Sequence, residues 1–229
     1  MYTCLRGFRV LKAFRKGGWL AAILVVALSG WMSLAAPVAA QSDLSCGKLV
    51  RDHGPFDYTN ARHRARHLGV VEKHHFTDDV RNLRRGATTY LAEDLEYVLN
   101  WFPNHHRALD AFSRLALRER KSRPNRAKVD IECRFQWARD VQPKDATVLV
   151  IEGFYYYRSG RHADARRPFL AAAALDPADP ETQYNLGLGL TRLGEHEAAR
   201  DFAERAYQQG YPLPALRDAL KAAGFPLSE

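Results

Sequence analysis

Two consecutive stretches decide the fold of this chain. Residues 146–179 read ATVLVIEGFYYYRSGRHADARRPFLAAAALDPAD, and residues 180–211 read PETQYNLGLGLTRLGEHEAARDFAERAYQQGY. When they are aligned, small residues recur at an offset of 34: Gly153 with Gly187, Gly160 with Gly194, Ala165 with Ala199, and Ala172 with Ala206. A repeat of this length indicates stacked copies of one supersecondary unit.

Each stretch predicts a helix, a short turn that contains glycine, and a second helix. The predicted helices cover 146–158 and 162–174 in the first stretch, and 180–192 and 196–209 in the second. Pro177 ends the first pair, because proline cannot continue a helix, and Gly210 is a candidate C-cap. The recurring glycines and alanines let neighbouring helices approach closely. Larger apolar residues fill the remaining space: Phe169, Leu175, Leu186 and Phe202.

Further residues extend the pattern. In the second stretch it comprises Tyr184-Asn185-Leu186-Gly187, Gly194, Ala199 and Ala206, and in the first Gly153, Tyr156, Gly160, Ala165, Phe169, Ala172 and Asp176-Pro177. This pattern resembles the tetratricopeptide repeat (TPR) family. Ala203 departs from it where the family often has an aromatic residue, and Tyr211 stands where the proline is displaced to Pro212. The resemblance implies an all-α, TPR-type α-solenoid with two clear repeats over 146–211.

The flanking segments follow the pattern less closely. Residues 77–145 are predicted to form about two degenerate repeats, with helices over 88–101, 104–119 and 128–141. Thr77 is expected to start a short helix that Gly86 closes, and Asn104 to cap the helix after Pro103. Residues 212–229 are predicted to hold a capping helix over 213–223 and a tail, since terminal helices shield the last apolar face of a solenoid. Residues 41–76 are predicted to be irregular, with one short helix over 60–68.

The first 40 residues have the features of a secretory signal peptide. Five basic and no acidic residues precede an apolar run from Trp19 to about Ala36, and small residues end the segment at Ala40. This order predicts export and cleavage after Ala40; the alternative is an uncleaved inner-membrane anchor with a periplasmic domain. Without these residues, 29 basic and 26 acidic residues leave a net charge of +3. We therefore expect no nucleic-acid partner, and membrane contact only if the segment is uncleaved.

Two cysteines, Cys46 and Cys133, follow the signal segment. An even number of cysteines in an exported protein predicts a disulfide bond, because that compartment is oxidising. The bond would close a long loop, which the chain-entropy model values at about 4 kcal/mol as an upper figure. The alternative is a pair of buried free thiols.

The candidate binding site is the concave surface that the resemblance implies. In TPR arrays the first helix of each repeat lines that surface. The residues assigned to this groove are Phe154, Tyr157, Arg158, Tyr184, Asn185, Leu188 and Arg192. Aromatic side chains offer rigid contact area, and arginines pair with carboxylates. The alternative is that the tyrosines at 155–157 mainly pack the core. A carboxylate clamp of the family's type is not expected, because Val150 and Phe154 occupy two of its positions.

Histidine is the basis of the alternative function. All nine histidines follow the signal segment, and His63 and His67 are spaced to lie on one helical face. Such pairs bind metals, but the surrounding arginines disfavour a cation, so no metal site is predicted. His74-His75 and His105-His106 are expected at helix starts, with one ring buried and one exposed. No phosphate-binding loop, nucleophile elbow or paired-cysteine motif is present, and we expect no catalytic residues and no cofactor.

Taken together, these patterns predict a periplasmic or secreted protein–protein interaction module. It would act as an adaptor, scaffold or assembly factor, and bind a protein or peptide segment in the groove. The alternative is a histidine-dependent metal-binding or hydrolytic protein.

Overall fold

Polar side chains cap the start of five helices in the described part of the chain. Asp145, Asp179 and His105 each accept a hydrogen bond from a backbone N–H in the first turn of the helix that follows. Asn60 and Thr77 do the same for two shorter helices near the beginning of the described chain. Such N-caps satisfy amides that have no partner within the helix.

A computed structural model describes residues 46–49 and 54–228, and these residues form helices, turns and loops without a strand. The predicted all-α class is therefore confirmed for this part of the chain. The helices are α1 (Ala61–His63), a π-helix (Arg64–Leu68), α2 (Gly69–His75), α3 (Asp78–Arg81), α4 (Leu91–Trp101), α5 (His106–Glu119), α6 (Ile131–Val141), α7 (Ala146–Arg158), α8 (His162–Ala174), α9 (Pro180–Arg192), α10 (His196–Gln208) and α11 (Ala215–Ala222). The predicted signal segment lies outside the described residues. Among those residues no helix combines the length and apolar character needed to cross a bilayer.

The helix pairs α7–α8 and α9–α10 have the predicted bounds, apart from the last residue of α10. Gly160 and Gly194 lie in the turns with φ of 80°, in the left-handed region that glycine adopts without strain. A Cβ on Gly153 would lie 2.7 Å from Cε1 of Phe169, and one on Gly187 would lie 2.7 Å from Cδ2 of Leu216. The predicted close approach of helices at these glycines is confirmed.

Upstream of α7, the predicted helices exist but begin about two or three residues later than expected. The short helix α3 ends at Arg81, so the prediction that Gly86 closes it is wrong. The chain turns away after α3 at Leu83, which has a φ of 55°. Residues 120–130 form a long connection between α5 and α6, in which Arg120 and Arg126 adopt positive φ.

The segment 41–76 is more helical than predicted, since α1, the π-helix and α2 run continuously over 61–75. A polar network joins residues just before this helix to residues that precede α5 and α7. Asn104 is buried, and its Nδ2 donates to Asp57 at 2.8 Å and to Asp145 at 3.0 Å. Its Oδ1 accepts from the backbone N–H of Tyr58 at 2.8 Å. The prediction that Asn104 caps α5 is therefore wrong, because its side chain bonds with these groups and His105 is the cap.

The predicted disulfide bond is present. Cys46 and Cys133 are joined with a Cα–Cα distance of 5.3 Å, within the ordinary range for such a bond. On the same helix, Nε1 of Trp137 donates to the carbonyl of Gly47 at 3.0 Å. These two contacts attach residues 46–47 to α6.

Candidate functional site

Four of the predicted groove residues meet where α7 and α9 end. The guanidinium of Arg158 lies 5.2 Å from the ring centroid of Phe154, and that of Arg192 lies at the same distance from the same ring. Arg192 is also 5.6 Å from the ring of Tyr157. We call Phe154, Tyr157, Arg158 and Arg192 the aromatic–arginine patch.

The patch carries positive charge that nearby acids do not neutralise. Across residues 46–49 and 54–228, neither Arg158 nor Arg192 forms an ion pair or a hydrogen bond, whereas Arg161 and Arg205 pair with carboxylates. Both arginines of the patch are exposed, and both aromatic rings are partly exposed. A cation over an aromatic face gains about 0.5 to 1 kcal/mol at an exposed site. This attraction orders the guanidinium groups while their N–H donors remain available to a partner.

The ring of Phe154 packs against the hydrophobic core. Its ring meets Phe169 of α8 edge-on, with ring centroids 5.1 Å apart. Phe169 is fully buried and packs against Gly153 and Gly189, where an added Cβ would lie 2.7 and 2.3 Å from its ring. The close packing that fixes α8 against α7 and α9 therefore also fixes the ring that both arginines contact.

The remaining groove residues are less accessible. Tyr184 is 3% exposed, and its ring lies 4.4 Å from that of Tyr211 and 6.3 Å from that of Tyr207. Asn185 and Leu188 are partly buried, and Leu188 packs on the core. Tyr184 therefore supports α9 from the interior, and a direct contact from its side chain to a partner stays a prediction.

The tyrosines at 155–157 divide between two roles. Tyr155 and Tyr156 are each 6% exposed. Burial raises the pKa of both hydroxyls, that of Tyr156 to about 12. Tyr157 is partly exposed and packs beside His162, with ring centroids 4.6 Å apart. Core packing thus describes the first two, and only Tyr157 belongs to the patch.

A cavity that the sequence did not predict lies beside the patch, between the C-terminal ends of α5 and α7. Its volume is about 460 Å³, and Arg158 is one of its lining residues. The side chains that face it from the other helix end include Arg120 and Lys121. The basic connection 121–125 was visible in the sequence, but only the fold shows that it meets Arg158.

The chain matches no protein-family model, no curated protein and no solved structure. Membership of the TPR family and the solenoid stacking of the helix pairs stay predictions.

The histidines do not gather into a metal site in the described part of the chain, where no group of three suitable ligands exists. His63 accepts through Nδ1 from the backbone N–H of Asp57 at 3.1 Å, while His67 stacks on Phe56 with centroids 4.0 Å apart. The ring of Phe56 packs against both histidines, since the ring centroid of His63 lies 5.4 Å from it. The histidine-dependent alternative therefore gains no support from this pair.

His74 and His75 lie at the end of α2, so the prediction that they begin a helix is wrong. Nδ1 of His75 lies 2.8 Å from Oδ1 of Asp94, beside a second cavity of about 440 Å³. Burial raises the pKa of Asp94, but hydrogen bonds from Thr88, His75 and backbone amides outweigh it and hold the pKa below the ordinary range. Asp94 is thus an ionised carboxylate whose acceptors are occupied by these donors, as expected of a structural group.

His105 and His106 lie at the start of α5, as predicted; the ring of His105 is buried as expected, whereas that of His106 is only partly exposed. Nδ1 of His105 accepts from Ala108 N–H at 3.1 Å, so Nε2 carries the proton and donates to Glu72 at 3.0 Å. Burial lowers the pKa of His105 below 6.5, and the hydrogen bond from His105 lowers the pKa of Glu72. The pair is therefore a neutral imidazole on an ionised carboxylate.

Acid is expected to destabilise the fold through this pair. The unfolded chain takes up a proton at His105 below pH 6.5, and the folded chain resists it, so stability present above that pH is lost as the pH falls. We expect the free energy of unfolding, measured with urea, to fall between pH 7.5 and pH 5.5. The fall should be smaller in His105→Asn, which keeps a capping oxygen. An equal fall in both proteins would assign the pH dependence to other groups.

Proposed function

We propose that this chain is an exported protein–protein interaction module of the TPR type, which binds a peptide or helix of another protein at the aromatic–arginine patch. The observation that carries the proposal is the placement of Arg158 and Arg192 over Phe154 without a carboxylate partner. On a surface whose charges are neutralised within the protein, each arginine pairs with a carboxylate. The neighbouring Arg161 does so with Asp164 and Glu132.

The chemistry of the patch suits protein recognition. Tyrosine and arginine are enriched among the residues that dominate binding energy, and they act best in water-excluding surroundings. Phe154 and Tyr157 supply rigid apolar area beside the two guanidinium groups, each of which can form two parallel hydrogen bonds to a carboxylate. A peptide that lies across α7 and α9 would therefore gain apolar burial and orientation from the same four side chains.

Two features support export to the periplasm. One is the predicted signal segment over 1–40. The other is the bond between Cys46 and Cys133, since stable disulfides belong mainly to oxidising compartments. Export and the identity of the compartment are part of the proposal.

Site-specific photo-crosslinking tests the proposed surface. A photoreactive amino acid at Tyr157 is expected to crosslink a partner in the cells that make the protein. The matched control is the same amino acid at Leu170, which is 40% exposed on α8. Crosslinking at Leu170 to the same partner, with none at Tyr157, would contradict the proposal.

The double variant Arg158→Ala/Arg192→Ala should weaken binding of the crosslinked partner by about tenfold or more, as expected when two charge-assisted contacts are lost. Neither side chain has an ion pair within the described chain, so stability should change little. Arg62→Ala/Arg66→Ala, which removes two exposed charges from another surface, is the control. Unchanged affinity in a folded Arg158→Ala/Arg192→Ala protein, measured by titration, would exclude the patch as the binding site. Tyr184→Ala is unsuitable for this purpose because its ring is buried.

A further inference from the structure

We propose that the cavity between the ends of α5 and α7 binds an acidic side chain of the partner, so that the partner segment is an acidic peptide. The inference rests on the proposed function and names the chemistry of its ligand. The cavity adjoins the aromatic–arginine patch, because Arg158 lines the cavity and also lies over Phe154.

The lining of the cavity is cationic. Of the side chains that surround its approximately 460 Å³, three are basic and none is acidic. Arg120 and Lys121 approach from the end of α5, and Arg158 from the end of α7. A concave site lined by one sign of charge concentrates ligands of the opposite sign, because its low-dielectric walls focus the field.

The three cations lack carboxylate partners within the described residues. Lys121 donates from Nζ to the neutral amide oxygen of Asn125 at 2.7 Å, and no ion pair involves Arg120 or Arg158. Two neighbouring acids are engaged elsewhere: Glu119, the last residue of α5, accepts from the backbone N–H of Asn125 at 2.6 Å, and Asp130, at the end of the connection, pairs with Arg123 at 3.1 Å. Asp130 also accepts from Ser122 at 2.6 Å, which brings one negative charge to the edge of the cavity.

These cations are not needed to cap the two helices. At the end of α5, the backbone amides of Arg120 and Lys121 already donate to the carbonyls of Ala116 and Leu117. At the end of α7, backbone amides occupy the last carbonyls in the same way, and Ser159 adds a hydroxyl bond to Tyr156. Basic residues near a helix C-terminus often stabilise its exposed carbonyls. Here the side chains of Arg120 and Arg158 form no such bond.

A carboxylate on a peptide fits the cavity better than a bare small anion. The cavity is also lined by Ala116, Leu117 and Tyr155, whose apolar groups suit the methylene groups of a glutamate side chain. Arginine binds a planar carboxylate through two parallel hydrogen bonds. Beyond the cavity the surface continues across Arg158 to Phe154 and Arg192, so a peptide backbone can run from one to the other.

The cavity depends on the connection between α5 and α6, which interrupts the 34-residue spacing. Its first residue, Arg120, has a φ of 55°, and this left-handed turn directs the chain away from the helix axis. Further along, the backbone amides of Lys128 and Val129 are held by Glu96 of α4. The site is thus a feature of this chain's own connection and not of the regular repeat.

The test uses a short dye-labelled peptide in which glutamate alternates with alanine, together with matched peptides that carry glutamine or lysine. Binding to the intact protein is measured by fluorescence anisotropy at low and moderate salt. We expect the glutamate peptide to bind at least about tenfold more tightly than the glutamine peptide, and the lysine peptide not to bind. Arg120→Gln/Lys121→Gln should reduce the affinity for the glutamate peptide about tenfold.

The charge-matched control is Lys73→Gln/Lys144→Gln, which removes two exposed cations from other helices or loops and should leave the affinity nearly unchanged. Equal losses in both double variants would overturn the proposal, because the peptide would then sense only net charge. Binding of inorganic phosphate in the cavity, with no binding of the peptide, would also overturn it. If the peptide fails to bind but the crosslinked partner still requires Arg158 and Arg192, the acidic-ligand inference falls and the proposed function stands.

Discussion

Glu96→Ala is expected to lower the free energy of unfolding by about 3 to 5 kcal/mol, the usual effect of removing one member of a buried ion pair. Glu96 of α4 is 3% exposed, and its Oε1 lies 2.8 Å from Nη2 of Arg134 of α6, which is 2% exposed. The substitution would leave the buried guanidinium without this carboxylate and two backbone amides, those of Lys128 and Val129, without an acceptor. Urea unfolding monitored by circular dichroism measures the loss.

The matched control is Glu93→Ala on the same helix. Glu93 is half-buried and lies 3.8 Å from Arg126, which is exposed. Such surface pairs contribute at most about 1 kcal/mol, so this variant should remain close to the parent. A loss in Glu96→Ala no larger than that of Glu93→Ala would contradict the role assigned to the buried pair.

The second variant to compare is Glu96→Ala combined with Arg134→Met. Removing both charges is expected to recover part of the loss, because a buried ion pair is often replaced by apolar residues at little cost. Recovery should be incomplete, since the amides of Lys128 and Val129 still lack the carboxylate.

The regular part of the fold was predictable because its signals are local. Glycines at 160 and 194 take the left-handed conformation that ends one helix and starts the next. Caps such as Asp145 and Asp179 act within three residues of their own position. The 34-residue offset and the glycine turns predicted the bounds of α7, α8 and α9 correctly and placed Arg158 and Arg192 at equivalent positions; the two aspartate caps, which the prediction did not use, act at the same boundaries.

The rest could not be predicted, since it depends on contacts between distant residues. Tyr184 matched the groove pattern, yet Tyr211 covers it because the chain turns back after α10. Asn104 has the character of a cap, but it bonds with Asp57, which lies 47 residues earlier. The close approach at Gly189 requires knowledge of where the ring of Phe169 inserts. In each case a contact with a distant residue overrides the structural preference that the local sequence indicates.

The cavity in the candidate site could not be predicted for the same reason. A basic connection at 121–125 is most often a solvated loop, and its composition gives no sign that it meets α7. Two non-glycine residues with positive φ, Arg120 and Arg126, shape the connection. Arg120 lies in the left-handed turn that ends α5, and Arg158 comes from α7, so the cation cluster emerges only when these two helices are packed together.

Cys46→Ser/Cys133→Ser is the other substitution with a large expected effect. The disulfide joins residues 87 positions apart. In the chain-entropy model, a cross-link of this span removes conformational freedom from the unfolded chain and stabilises the fold by about 4 kcal/mol at most. We expect a decrease of that order in the free energy of unfolding, measured with urea, and the same decrease when a reducing agent is added to the parent protein.

The variant Trp137→Phe distinguishes the stabilisation by the disulfide bond from that by the neighbouring contact with Gly47. This variant removes the hydrogen bond from Nε1 to the carbonyl of Gly47 and part of a buried ring that Arg134 also contacts, a loss of about 1 to 2 kcal/mol, and keeps the cross-link. If the cross-link acts through the unfolded chain, the serine double variant should lose clearly more stability than Trp137→Phe. A reducing agent should not destabilise the serine double variant further, because that variant has no disulfide bond. If both variants lose the same amount, the disulfide contributes only by holding residues 46–47 against α6, and the entropic account is wrong for this chain.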